Sequence, residues 1–329
     1  MAGRVRAAVS WFVFVLALVP AALALAALGG AWNGRLDLLT HLSTLTFTAA
    51  AVLLAVASRV GGPARRGSLG VTLLTLVCAG ALMGPDIARS FAPKSRAAPT
   101  LTLMTLNLWP ENVDPEGTAR IVLAADPDVV VLEEATAKGQ IAAHAIRARY
   151  PYGVGCEGPT ECALAIYSKL PIAAGEAKAQ DWNRRPFDTL RTAWARIEAP
   201  GKPPFTVVAT RYGTPSAPWL QRDQRRRLAT FLGQFDRSSL ILAGDFNSSP
   251  WSFAMREQDR LLQGLERRTR ALPTWPARWP IRGFGGRAEP VPLIPIDHVY
   301  AGASWKTVSV KRGPRTGSDH YPVIVALAR

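Results

Sequence analysis

Histidine and cysteine are scarce in this chain, with four and three in 329 residues, and each shortage narrows what the sequence can do. Only His41, His144, His298 and His320 can supply an imidazole, so proton transfer near neutral pH by such a group has four places to reside. Cysteine permits one short loop closure, Cys156 with Cys162 at a C-x5-C spacing, while Cys78 lies in an apolar run. Spacing alone leaves open whether Cys156 and Cys162 pair or remain free thiols. Acidic residues are outnumbered, 24 against 39 Lys and Arg, for a formal net charge of +15. Such a surface attracts polyanions, among them nucleic acids, anionic lipid headgroups and phosphorylated small molecules, and charge does not choose between them. Internal repeats and low-complexity tracts are absent, which excludes a solenoid array.

Asp, Glu, Lys and Arg are missing from residues 10–28, 38–58 and 69–85. Each run approaches the roughly 20 residues that a helix needs to cross a bilayer, so the sequence predicts three transmembrane helices within an anchor over 1–85. A cleaved signal peptide accounts for the first run alone and leaves the other two unexplained. A transporter is disfavoured, because His41 is the sole ionisable residue in these runs and transport paths are marked by such groups. Arg4 and Arg6 precede the first run, and Arg59, Arg65 and Arg66 lie between the second and third. The first connection has Arg35 offset by Asp37. Basic residues are retained on the cytoplasmic side, so three crossings from an inside start place the rest of the chain on the extracytoplasmic face, although Arg89, Lys94 and Arg96 just past the third run pull the other way.

Residues 86–99 mix proline, alanine and charge without periodicity and read as a linker. A catalytic domain is then expected over 100–329. Short apolar runs with strand character recur at 101–106, 129–132, 163–167, 192–197, 205–210, 240–243, 296–300 and 323–327. Helical patterns occupy 115–125, 140–149 and 221–235. The mixture predicts layered sheets covered by helices, an α/β or α+β domain.

Acidic and amide residues gather at the ends of these strands, where open sheets place functional loops. They occur in Leu106-Asn107-Leu108-Trp109, Leu132-Glu133-Glu134, Gly244-Asp245-Phe246-Asn247, Ile296-Asp297-His298 and Ser318-Asp319-His320-Tyr321-Pro322. A hard cation such as Mg²⁺ takes oxygen ligands and keeps several waters; Asn107, Glu134 and Asp319 are of the right type. Phosphate-ester hydrolysis also needs a base for water and donors for the phosphoryl oxygens. His298 and His320, each beside an aspartate, are the candidates for the base.

In this order, these motifs resemble the endonuclease/exonuclease/phosphatase superfamily over nearly all of 101–327. The Ser-Ser-Pro-Trp-Ser run after Asn247, Pro273-Thr274-Trp275-Pro276 and the apolar N-terminus are similar to a bacterial membrane-anchored branch, implying the inner membrane as location. The resemblance implies a four-layer αββα sandwich and Mg²⁺ or Mn²⁺ at Asn107, Glu134 and Asp319. It further implies His320 as general base oriented by Asp297, and Asp245 with Asn247 positioning water and the scissile phosphate. A histidine usual at the end of the middle strand is replaced here by Arg211, which can donate to a phosphoryl oxygen; Tyr212 is a second candidate for that contact.

Other residues invite plainer readings. Asp245 on its own could be turn chemistry. Alternation turns His298 away from Asp297, as a packed core histidine, and turns Glu133 away from the metal. Trp109 is expected to pack. The sequence thus predicts an anchored, metal-dependent phosphoesterase, with a catalytically degenerate scaffold blocked by Arg211 as the alternative. Its substrate would be a nucleic acid, a phospholipid headgroup or a small phosphodiester. Trp275 and Trp279 with Arg278, Arg282 and Arg287 could line a nucleic-acid groove, or the two tryptophans could face a bilayer.

Overall fold

The period of the apolar residues changes along the chain, from continuous runs to alternation, and the architecture follows it. The computed structural model describes residues 1–155, 163–185, 187–279 and 290–329; Cys156, Cys162, Arg282 and Arg287 lie outside these. The chain divides into two compact units, Met1–Phe91 with Ser248–Arg256, and Ala92–Asn247 with Glu257–Arg329.

The first unit holds α1 (Ala2–Leu28), α2 (Gly34–Asp37), α3 (Ser43–Arg59) and α4 (Arg65–Ser90). Three stretches are long and apolar enough to cross a membrane, Ala2–Ala31, Gly34–Arg59 and Arg65–Ser90. Their packing is inside out. Ala17, Ala21, Ala24, Ala50, Ala57 and Ala79 are buried between the helices, whereas Trp11, Phe12, Val15, Val19 and Val77 are exposed. Small residues let helix backbones approach where lipid, not water, surrounds them. Helix α4 continues through Pro85 to Ser90, so the expected linker begins as helix.

Ser248–Arg256 is built into this same unit. The Asp37 carboxylate accepts the backbone N–H groups of Phe253 at 2.8 Å and Ala254 at 2.9 Å, capping the first turn of a helix that starts there. The Trp251 indole donates to the Thr40 carbonyl at 2.7 Å, and Arg256 donates to that of Leu82 at 3.1 Å. A side chain at Gly30 would press on Asp37 Cα at 2.8 Å and the Phe253 ring at 2.9 Å.

The second unit contains β1 (Leu101–Asn107), α5 (Pro115–Ala125), β2 (Val129–Glu133), α6 (Ala137–Arg147), β3 (Tyr152–Gly155), β4 (Ala165–Ser168), β5 (Ile172–Lys178), β6 (Thr192–Ile197), β7 (Phe205–Arg211), α7 (Pro218–Phe231), β8 (Ile241–Asp245), the part of α8 (Phe253–Leu261) from Glu257 onward, β9 (Leu265–Arg267), β10 (Asp297–Gly302), β11 (Lys306–Arg312) and β12 (Val323–Ala328). Among the described residues two six-stranded sheets form, ordered β11-β12-β1-β2-β4-β3 and β5-β6-β7-β8-β10-β9. One parallel pair sits near the middle of each, β1 with β2 and β7 with β8.

The sheets face each other across a core that includes Leu103, Val131, Val207, Ala243, Val299 and Val325. The opposite face of the first sheet packs Met104, Leu106, Val130 and Leu132 against Val122 of α5 and Ile146 of α6. On the second sheet, Tyr212 and Tyr300 reach Gln258 and Asp259 of α8, and α7 is tied on by Gln224, which donates to the Thr189 carbonyl. This is the expected four-layer αββα sandwich.

Candidate active site

Each inner apolar row ends in a polar residue at one edge of the sandwich. Leu101, Leu103 and Thr105 lead to Asn107; Val129 and Val131 to Glu133; Val207 and Ala209 to Arg211; Ile241 and Ala243 to Asp245. Strand β10 runs against β8, so its first residue, Asp297, lies opposite Asp245. Strand β12 starts opposite Thr105 of β1, which delivers Ser318-Asp319-His320 to the same edge. Gly244 has φ +147°, and a Cβ there would fall 1.9 Å from the Thr210 carbonyl oxygen. Only glycine lets β8 approach β7 so closely just before Asp245.

Hydrogen bonds knit this edge together. Asp245 accepts from the Asn107 amide at 3.1 Å, the Asn247 amide at 3.1 Å and the Asn247 backbone at 2.8 Å. His320 Nδ1 lies 3.1 and 3.0 Å from the two oxygens of Asp297, which leaves Nε2 for chemistry, 3.9 Å from Asp319 Oδ1. Ser318 donates to the Asn107 carbonyl at 2.6 Å and accepts from the His320 backbone at 3.0 Å. The Trp275 indole donates to Asp319 at 3.2 Å. Arg211 forms an ion pair with Glu134 and stands 3.9 Å from Asp245. Trp109, Glu134 and Asn247 all take left-handed backbone at φ +59°, +52° and +48°, a conformation that costs energy in non-glycine residues and gathers at functional sites.

The site is buried and rich in charge. Burial raises Asp245 above its ordinary carboxylate value, with Asp297 adding to the effect against His320 and Arg211. Burial likewise raises Asp319, opposed by His320. For His320, burial disfavours the imidazolium, but Asp297, Asp245 and Asp319 outweigh it and hold the ring well above its usual range. The group is a dyad in which Asp297 favours a proton on Nδ1 and stabilises the ring once charged.

Two expectations change against this geometry. Tyr212 is no phosphate ligand: its side chain is buried, its hydroxyl donates to Gln258 at 2.7 Å, and its backbone carbonyl accepts from Asn247 at 2.9 Å. Alternation explains this, since Arg211 is on the inner row and the next residue must face outward. Glu133 does not turn away. It is the last inner residue of β2, fully buried, and accepts from Thr105 at 2.7 Å, with burial raising it well above the ordinary carboxylate range. Glu134 reaches the site because its positive φ breaks the alternation. Arg278 donates to the Thr316 carbonyl at 2.8 Å. His298 is the packed histidine expected, buried with Nδ1 3.1 Å from the Thr269 hydroxyl. Sequence reasoning missed Trp275 as the partner of Asp319; its place in a Pro-Thr-Trp-Pro run was the available signal.

A divalent ion would find oxygen donors of the right hardness in Asn107, Glu134 and Asp319, and Asp319 Oδ1 has no hydrogen-bond partner among the described residues. Yet no group of three acidic, histidine or cysteine residues among the described ones is arranged to hold a metal, and Arg211 engages Glu134. The side chains as placed do not fit a metal ion.

A family model described as Endonuclease/Exonuclease/phosphatase family matches residues 104–320. No curated protein matches the chain. Among solved structures, SmcL is 16% identical with a TM-score of 0.53, over 69% of this chain and 99% of that one. An endonuclease/exonuclease/phosphatase from Beutenbergia cavernae is 22% identical with a TM-score of 0.52, over 70% and 72%. The mannosyl-6-phosphatase Bt3783 of Bacteroides thetaiotaomicron is 15% identical with a TM-score of 0.52, over 70% and 100%. These likenesses show a shared fold.

Proposed function

The chain belongs to the Endonuclease/Exonuclease/phosphatase family, and from that premise we propose that it is a membrane-anchored hydrolase of phosphate esters. The observation that carries this reading is the buried His320–Asp297 dyad, set among Asn107, Asn247, Asp245 and Arg211 at one sheet edge. In its neutral form, which the neighbouring carboxylates shift to a pH above the usual imidazole range, His320 Nε2 takes a proton from water as the water oxygen attacks phosphorus, and Asp297 stabilises the imidazolium that results. Asn107 and Arg211 supply donors for the phosphoryl oxygens, on which charge builds, while Asn247, whose amide hydrogens go to Asp245 and the Tyr212 carbonyl, braces Asp245. Asp245 holds both asparagine amides in place. Mg²⁺ or Mn²⁺ at Asn107, Glu134 and Asp319 would add Lewis-acid stabilisation, once Glu134 is freed from Arg211.

The substrate falls within nucleic acids, phospholipid headgroups and small phosphodiesters, the anions that a net charge of +15 favours. An extracytoplasmic location is supported by the basic residues: Arg4, Arg6, Arg59, Arg65 and Arg66 flank the ends of the apolar helices that this orientation leaves in the cytoplasm. The bonds of Asp37 and Thr40, in the α1–α3 connection, to Ser248–Arg256 agree with three crossings in either orientation, because that connection and the chain after α4 then emerge on one face.

The test uses the full chain in detergent with bis(p-nitrophenyl) phosphate and Mg²⁺ or Mn²⁺. Turnover that disappears in His320→Ala supports a hydrolase. No turnover on this ester, DNA, RNA or phospholipid favours the scaffold reading, which the Arg211–Glu134 ion pair makes specific.

A further inference from the structure

Arg211 ends the inner row of β7, opposite Asp245 in the parallel register with β8. Its guanidinium pairs with Glu134, and the two side chains are only 19% and 14% exposed. Water and salt therefore screen this pair far less than a surface pair. Glu134 is held toward Arg211 by its left-handed backbone at φ +52°.

A divalent cation at Glu134 would stand beside this fixed positive charge, and the two repel strongly in a site with little water. Asp319 Oδ1, with no hydrogen-bond partner among the described residues, is a buried oxygen that a cation could take. Arg211 Nε, buried 3.9 Å from Asp245 and equally without a hydrogen-bond partner there, is a donor that a phosphoryl oxygen could satisfy. Arginine also matches phosphate oxygens with two donors at once.

We propose that Arg211 is a built-in cation that competes with a divalent metal for Glu134, so that the metal site is completed only when a phosphate group draws the guanidinium away. Metal and phosphate then bind with positive coupling: each removes from the other the cost of separating Arg211 from Glu134. Arg211 is thereby both a phosphate ligand and the element that makes metal binding wait for substrate. The inference rests on the phosphoesterase reading of this edge for its purpose, and its test does not require turnover.

Mn²⁺ binding to the full chain in detergent, followed by the electron paramagnetic resonance of free Mn²⁺, reads the competition directly. The wild type should bind weakly, and inorganic phosphate should tighten it about tenfold after correction for Mn²⁺ held by phosphate in solution. Arg211→Ala should bind about tenfold more tightly without phosphate and gain little from it. Arg211→Lys keeps the charge and should remain weak, which separates charge from packing. Glu134→Gln should lose the site in either background. Equal or weaker Mn²⁺ binding by Arg211→Ala, or equal tightening by phosphate in both proteins, overturns the proposal. Tighter binding by Arg211→Ala, with no hydrolysis of any ester by the wild type, would leave the competition standing and remove the hydrolase reading; hydrolysis by the wild type with equal Mn²⁺ affinities in the two proteins would do the reverse.

Discussion

Both oxygens of Asp297 lie within 3.1 Å of His320 Nδ1, and this contact decides which ring nitrogen carries the proton. In Asp297→Asn the amide can donate to Nδ1, which moves the ring proton to Nε2 and leaves no lone pair facing water. The proposed reaction should then slow by roughly 10²–10⁴-fold, with a smaller change in substrate binding. Initial rates against substrate concentration separate the two, and an Asp297→Asn enzyme with unchanged kcat would remove His320 from the role of base. Away from the site, Asp259 accepts from Arg267 at 3.1 and 2.8 Å and from Tyr300 at 2.7 Å. Burial pushes this carboxyl up, but Arg267 and Tyr300 outweigh it and hold it below its ordinary value. A lowered folded pKa adds stability above the unfolded value of about 3.9, and that stability disappears as pH falls through the folded one. Asp259→Asn should cost roughly 2 kcal/mol at pH 7, allowing for the partial exposure of Asp259. Thermal unfolding at pH 7 and below pH 4 should show the gap to wild type narrowing in acid.

At the scale of elements, the strands legible in the sequence are those buried on both faces, because an uninterrupted apolar run needs no partner to be recognised. Strand β6 at Thr192–Ile197 and helix α5 at Pro115–Ala125 have the expected bounds. The overlooked strands lie at or near sheet edges. Ile172-Ala-Ala-Gly-Glu-Ala-Lys178 and Lys306-Thr-Val-Ser-Val-Lys-Arg312 carry too much charge and too few large apolar residues to announce β5 and β11. The site was legible as a set of strand ends, yet parity failed at Glu133 and Glu134, where one left-handed residue resets which side chain faces inward. Nor could a one-dimensional pattern place Arg211 against Glu134, since that contact depends on two strands in different sheets. The first turn of α8 was hidden because its cap, Asp37, lies 216 positions away. Asp37→Ala removes both acceptors and should lower stability by about 1 kcal/mol, with Asp37→Asn losing less. Melting of the full chain in detergent checks the order, and an Asp37→Ala protein as stable as wild type would show that the cap adds nothing.

Across the whole molecule, the apolar helices take in a segment from elsewhere in the chain, because part of the stretch between Asn247 and Glu257 belongs to their unit. Trp251 and Met255 are 3% and 1% exposed, in a segment bonded to Asp37, Thr40 and Leu82. A fragment that starts at Thr100 lacks all three partners. It would carry an intact αββα core and, directly after Asp245 and Asn247, a loop with a tryptophan and a methionine uncovered, each worth roughly 2 kcal/mol when buried. Such a patch drives association in water. The 100–329 fragment should therefore self-associate and bind a hydrophobic dye, and Trp251→Ser with Met255→Ser should restore a single monomeric species in sedimentation. The same double substitution in the full chain should act the opposite way, destabilising it in detergent, because there these side chains are packed. A monomeric fragment that leaves the dye unbound would show that this loop finds cover within the sandwich, and that residues 100–329 are separable from the apolar helices.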